Sequence, residues 1–173
     1  MRHAVLSAVT AATLLVLGSF GASADPAFLY VSTASPSVDA FTSNGTGSLY
    51  DTIGLNGPAG IALDKKGNLF AADYNTNTIG EIGPNGTASV FASSSLRGPF
   101  GLVFDSAGNL CASNATANTI VKFSPSGAGA LFASTGLGHP LGLAFDGAGN
   151  VYAGNATITR LRNSPRTGQG QPS

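Results

Sequence analysis

The chain has 173 residues, with 8 Lys+Arg against 8 Asp+Glu, and only 9% of it is charged, where an ordinary soluble domain carries roughly 25%. A neutral chain without a basic run offers no electrostatic footprint to phosphate backbones or anionic lipid, so nucleic-acid partners and membrane-surface attachment are disfavoured. Its single cysteine, Cys111, permits no internal disulfide and no cysteine cluster for zinc, so packing alone must hold the fold.

At the start of the chain, Arg2 and His3 precede a stretch from Ala8 to Gly21 that holds no ionisable side chain and closes on Ala22-Ser23-Ala24. Small residues at the first and third positions before a cut suit signal peptidase. Residues 1–24 therefore read as a secretory signal cut between Ala24 and Asp25, leaving a secreted or periplasmic mature chain with no membrane attachment. The alternative is an uncleaved anchor, which this short, Thr- and Ala-containing core serves poorly because a bilayer span needs about 20 apolar residues.

Beyond residue 24 the chain is punctuated by glycine, and apolar runs return between the glycines, which a flexible linker would not need. The punctuation has a period. Pro58, Pro99 and Pro140 stand 41 residues apart. The same spacing relates Leu55, Leu96 and Leu137; Gly60, Gly101 and Gly142; Asp64, Asp105 and Asp146; and Asn68, Asn109 and Asn150. An incomplete opening unit, 28–54, comes first: Leu29-Tyr30-Val31 matches Leu69-Phe70-Ala71, and Asn44-Gly45-Thr46 matches Asn85-Gly86-Thr87. Full units follow at 55–95 and 96–136, then a shortened one at 137–161.

Within 55–95, short apolar stretches alternate with turn chemistry, the pattern of antiparallel strands and not of helices. Strands are predicted at 60–63, 69–73, 78–82 and 87–92. In the first turn, Gly67 suits a positive φ and the Asp64 carboxylate suits backbone N–H groups. A four-stranded meander cannot bury both faces by itself, so successive units must stack face to face. The Pro-x-Gly at 58–60 fits an innermost strand, where converging backbones leave little side-chain space.

The predicted fold class is all-β: a β-propeller of four-stranded antiparallel blades, about 3.5 of them, forming an incomplete ring or open arc. Three strands are expected in the opening unit, four in each full unit and three in the last. In that last unit the apolar pattern of the third strand starts at Ile158, three residues early, and 162–173, with no apolar residue besides proline, reads as a disordered tail. A longer ring cut short, a four-bladed ring with reduced edge blades, and two copies closing one ring all fit.

The run 57–73, followed by Asn77-Thr78-Ile79, resembles the NHL repeat, also seen in streptogramin lyase-like and gluconolactonase-like propellers, and the likeness extends from Leu29 to about Leu161. The resemblance implies a ring commonly of six blades. For a gluconolactonase-like enzyme it implies an axial magnesium or calcium site, and for a lyase-like enzyme a histidine that opens a ring by elimination. His139, the one histidine after the leader, is where that role would fall.

Read from the residues themselves, such chemistry is thinly supplied. The positions opening the innermost strands are Asn56, Arg97 and Gly138, then Gly57, Gly98 and His139; they bring no acid, where a calcium site needs several hard oxygen ligands. Asn56, Asp73, Asn114 and Asn155 are the candidate metal ligands, and His139 is the candidate catalytic group. Asp73, Asn114 and Asn155 end equivalent second strands, where bonding to turn backbone is the structural alternative. Asp64, Asp105 and Asp146 lie on three different blades and read as turn caps. Asn-x-Thr acceptors for glycosylation begin at Asn44, Asn85, Asn114 and Asn155. The expectation is an exported scaffold that binds a protein or carbohydrate, without a cofactor or an evident catalytic site, and able to form a homodimer through exposed blade edges. The alternative is a lyase- or lactonase-like enzyme using magnesium or calcium, or an inactive fragment of one.

Overall fold

The structure, a computed structural model, describes residues 15–18, 28–32, 37–41, 47–51, 54–157 and 162–163. Among them the chain is all-β, and no helix is long and apolar enough to cross a membrane. Four antiparallel sheets follow one another along the sequence. The first sheet holds β1 (Leu15–Gly18), β2 (Phe28–Ser32), β3 (Val38–Phe41) and β4 (Gly47–Asp51). The second holds β5 (Pro58–Leu63), β6 (Leu69–Asp73), β7 (Thr78–Ile82) and β8 (Ala88–Ala92). The third holds β9 (Pro99–Phe104), β10 (Leu110–Asn114), β11 (Thr119–Phe123) and β12 (Gly129–Ala133). The fourth holds β13 (Pro140–Phe145), β14 (Val151–Asn155) and β15 (Arg162–Asn163).

Every sheet is a simple meander in chain order, which is what short turns between consecutive strands dictate. The turn from first to second strand shows how little sequence this needs. Asp64 Oδ1 accepts from the backbone N–H of Lys66 and Asn68, both at 2.8 Å, while Asn68 Nδ2 donates to Oδ2 at 2.9 Å. Gly67, at φ 87°, closes the turn by donating to the Asp64 carbonyl at 3.2 Å. Asp105 with Asn109 and Asp146 with Asn150 repeat the arrangement, so three recurring residue types make one recurring local structure.

Sheets stack through three apolar layers. Val38 and Ala40 of the first sheet pack with Ile61, Leu69, Ala71 and Ile82 of the second. Ala62, Phe70 and Ala72 pack with Leu102, Leu110, Ala112 and Phe123 of the third. Cys111 and Ile120 pack with Val151 and Ala153 of the fourth. Side chains alternate along each strand, so one face of a sheet meets its predecessor and the other its successor. The first strands make the closest backbone approaches: a Cβ on Gly60 would fall on the carbonyl oxygen of Phe100, and one on Gly101 on that of Leu141.

Cys111 fills a core position, with none of its surface exposed, and burial pushes its thiol up to about 11. The thiolate is the reactive species, so a disulfide reagent is expected to label native protein at least ~100-fold more slowly than protein in urea. Equal rates would place the thiol at the surface.

Three sequence expectations need correction. The opening sheet has a fourth strand, because Leu15–Gly18, inside the segment read as a leader, pairs with β2 through Leu15↔Val31 and Leu17↔Leu29. The third strand of the last unit has not slipped to Ile158. Its pairs Tyr152↔Asn163 and Ala153↔Arg162 keep the spacing of Cys111↔Lys122 and Ala112↔Val121, because backbone pairing and turn length set register where side-chain pattern is weak. The tail read from residue 162 therefore begins with a strand. The remainder of that tail, the cut at Ala24, Ile158 and the acceptor Asn44 lie outside the described residues.

Candidate functional site

Two regions bring polar and aromatic chemistry together. The first is the end of the stack where innermost strands begin. Asp73, fully buried, accepts from the backbone N–H of Asn56 at 2.6 Å and of Asn75 and Thr76 at 3.2 Å each. The Asn75 amide donates in turn to the Asn56 carbonyl. Asn114 does the same in the third sheet, accepting from Arg97 N–H at 3.0 Å and donating to Ser95 carbonyl at 2.9 Å and Thr119 Oγ1 at 3.1 Å. Asn155 accepts from Gly138 N–H at 3.1 Å. Each of these candidate ligands is thus turned onto backbone of its own sheet. Asn56 meets Asp73, but the set does not converge, and among the described residues no three His, Cys, Asp or Glu side chains group together. Asn114 is 2% exposed, and its engaged amide is unsuited to carry a sugar.

His139 sits at the same end in the left-handed region, φ 51°. Its N–H donates to Asn118 Oδ1 at 2.6 Å, and its carbonyl accepts from Ala156 N–H at 3.1 Å. One repeat earlier Gly98, φ 56°, donates to Asn77 Oδ1 at 2.6 Å. Asn77 and Asn118 are themselves left-handed, at 57° and 54°, a conformation asparagine tolerates better than most residues. These two asparagines therefore latch one sheet to the next. Sequence reading did not single out this pair, although their spacing of 41 marks them as part of the repeat.

The second region is a cavity of about 580 Å³ at the opposite end, between the second and third sheets. Phe70, Phe91 and Phe104 form its apolar wall. Phe70 meets Phe91 edge-on at 5.0 Å and Phe104 at 5.1 Å between ring centroids, a geometry that aromatic quadrupoles favour. Its rim carries Asp64, Lys65, Lys66, Glu81 and Asp105. Lys65 Nζ reaches across the sheets to the Ser106 carbonyl at 3.0 Å, so the Lys65-Lys66 doublet frames the cavity. At Asp105, burial pushes the carboxyl up, but hydrogen bonds from Asn109 and the Lys122 ammonium 2.6 Å away outweigh it and hold the group at about 2. Asp105 stays charged at neutral pH.

No family model matches the chain, and no curated protein matches it in sequence. Solved structures do, and they share its architecture. Virginiamycin B lyase from Staphylococcus aureus, in a catalytically inactive H270A form with quinupristin, superposes with a TM-score of 0.72 at 10% identity, covering 91% of this chain and 58% of that one. A gluconolactonase from Xanthomonas campestris gives 0.64 at 19% identity over 75% and 50% of the two chains. An auxiliary nutrient binding protein from Bacteroides thetaiotaomicron gives 0.66 at 14% over 80% and 45%. The chain has the β-propeller fold, with three four-stranded antiparallel sheets and a three-stranded one among the described residues. It spans a little over half the length of the lyase.

Proposed function

We propose that this chain is an exported NHL-type propeller that binds a neutral carbohydrate in the cavity between its second and third sheets. One observation carries the reading: an aromatic wall of Phe70, Phe91 and Phe104 faces a rim of both charge signs in about 580 Å³, within the range of small-ligand sites. Sugars present apolar C–H faces and a ring of hydroxyls, and such a wall and rim suit both. A structural neighbour described as an auxiliary nutrient binding protein is consistent with a binding role. Export follows from the leader reading. Cutting at Ala24 would leave β2–β4 as the opening sheet.

The test is saturation-transfer NMR on the full chain with neutral di- to tetrasaccharides of glucose and galactose. Transfer to at least one sugar is expected, with affinity about tenfold lower in Phe91→Leu, which removes one wall of the site. If no sugar receives saturation, or Phe91→Leu binds as wild type does, the carbohydrate reading is wrong.

A second reading, a lyase- or lactonase-like enzyme, is favoured by one feature: His139 holds a left-handed conformation where Gly98 stands in the preceding unit. Such strain costs about 1 kcal/mol or more and often marks function. Under this reading a chromogenic lactone is opened with added magnesium or calcium and His139→Ala abolishes the activity. Turnover that survives in His139→Ala removes the histidine from the chemistry.

A further inference from the structure

Each interior sheet presents the same positions to its successor. In the second sheet these are Gly60, Ala62, Phe70 and Ala72; in the third, Gly101, Val103, Cys111 and Ser113; in the fourth, Gly142, Ala144, Tyr152 and Gly154. In the first two sets the face is covered. The Phe100 carbonyl lies against Gly60, and the Leu141 carbonyl against Gly101. Ser113 Oγ donates to that same Leu141 carbonyl at 2.6 Å and accepts from Gly101 N–H at 2.7 Å. Phe70 is 4% exposed and Cys111 0%.

The fourth face breaks the series. A Cβ on Gly142 would meet nothing within 4 Å, Gly142 and Ala144 are exposed, and Tyr152 and Gly154 are half-buried. A glycine inside a strand weakens it and is justified where another backbone comes close. Both of its counterparts have that backbone. Gly142 and Ala144 on β13, with Gly154 on β14, thus leave a strip of small residues that has no neighbour against it among the described residues.

From this continuity we infer that the fourth face is a docking surface for the opening sheet of a second copy of the chain. Within the chain, the interface below the second sheet joins forward positions Val38 and Ala40 to rear positions Ile61, Leu69 and Ala71. In the ladder of the opening sheet, the positions alternating with Val38 and Ala40 are 29, 31, 39 and 41, joined through Leu29↔Phe41 and Val31↔Asp39. The sequence there reads Leu29, Val31, Asp39 and Phe41, three apolar residues and one acid. Two copies arranged head to tail bring each fourth face onto the opening sheet of the other, a heterologous contact that closes after two steps. Four sheets from each copy make eight, within the range of closed propellers.

Sedimentation equilibrium on the full chain tests this. The expected species is a dimer at micromolar concentration, and Gly142→Val, which adds a side chain where each monomer has open space, is expected to sediment as a monomer with an unchanged circular-dichroism spectrum. Ala144→Arg, at an exposed position, is a second disruptor should Gly142→Val alter the fold. A wild-type monomer would overturn the second copy as occupant and point instead to further sheets of a longer polypeptide. Open-ended polymers would overturn ring closure. A dimer that survives both substitutions would place the contact on some other surface.

Discussion

Gly101→Ala is expected to lower the stability of the native protein by about 3 kcal/mol or more, while Gly142→Ala, at the equivalent position one repeat on, changes the stability of the monomer, read by dilution below dimer dissociation, by less than about 1 kcal/mol. Alanine at 101 sets its methyl group on the carbonyl oxygen of Leu141. That oxygen belongs to the backbone and cannot rotate away, so relief requires the third and fourth sheets to separate. Separation uncovers Cys111, Ile120, Val151 and Ala153, the layer between them, and releases the Ser113 hydroxyl from Leu141. Extra methyl groups in packed cores ordinarily cost about 1–3 kcal/mol; a rigid backbone contact belongs at the top of that range or above it. Neighbouring sheets interact only in series, so damage should stay local. Amide exchange in β13 and β14 is expected to accelerate, with β5–β8 still protected, and urea titration reads the total loss. A Gly101→Ala protein within about 1 kcal/mol of wild type would mean that the sheets are not in the contact described.

Asp73→Ala is expected to cost about 2–4 kcal/mol, and Asp73→Asn at least about 1 kcal/mol less. Asp73 is fully buried and serves three backbone N–H groups at once. Alanine strands all three, and an unmet buried donor costs about 1–3 kcal/mol, less where water reaches it. Water reaches some of this set, since Asn56 and Thr76 are exposed. Asparagine is already the residue here in the next two sheets. There its Oδ1 takes the loop N–H, and its Nδ2 reaches a carbonyl 19 residues back, Ser95 from Asn114 and Gly136 from Asn155. In the second sheet the corresponding carbonyl is Gly54. Chemical denaturation of both variants checks the ranking. Equal losses would show that the carboxylate charge, and not the hydrogen-bond pattern, holds this turn.

Much of the fold was open to reading because its instructions are local. Asp64, Gly67 and Asn68 make their turn within five consecutive residues, and the same turn at Asp105 and Asp146 announces a repeat. The wrong register at Ile158 shows the limit. Where the apolar pattern fades, the pairing of Tyr152 with Asn163 follows the backbone ladder, which leaves no trace in side-chain type. The candidate site was less open. Asp73, Asn114 and Asn155 stood out as polar residues at strand ends, yet whether such groups gather or turn back onto their own loops depends on side-chain direction, which spacing does not report.

From its sequence by itself the chain determines an all-β meander, its 41-residue period and the turns that close it, because each of these rests on contacts between near neighbours. Only tertiary structure decided that Phe70 and Phe91 would meet Phe104 over a cavity, that Asn77 would hold Gly98, and that Gly142 would lie open where Gly60 and Gly101 are covered. These depend on how unlike residues from different repeats are brought face to face when sheets stack, and a period records only what the repeats share.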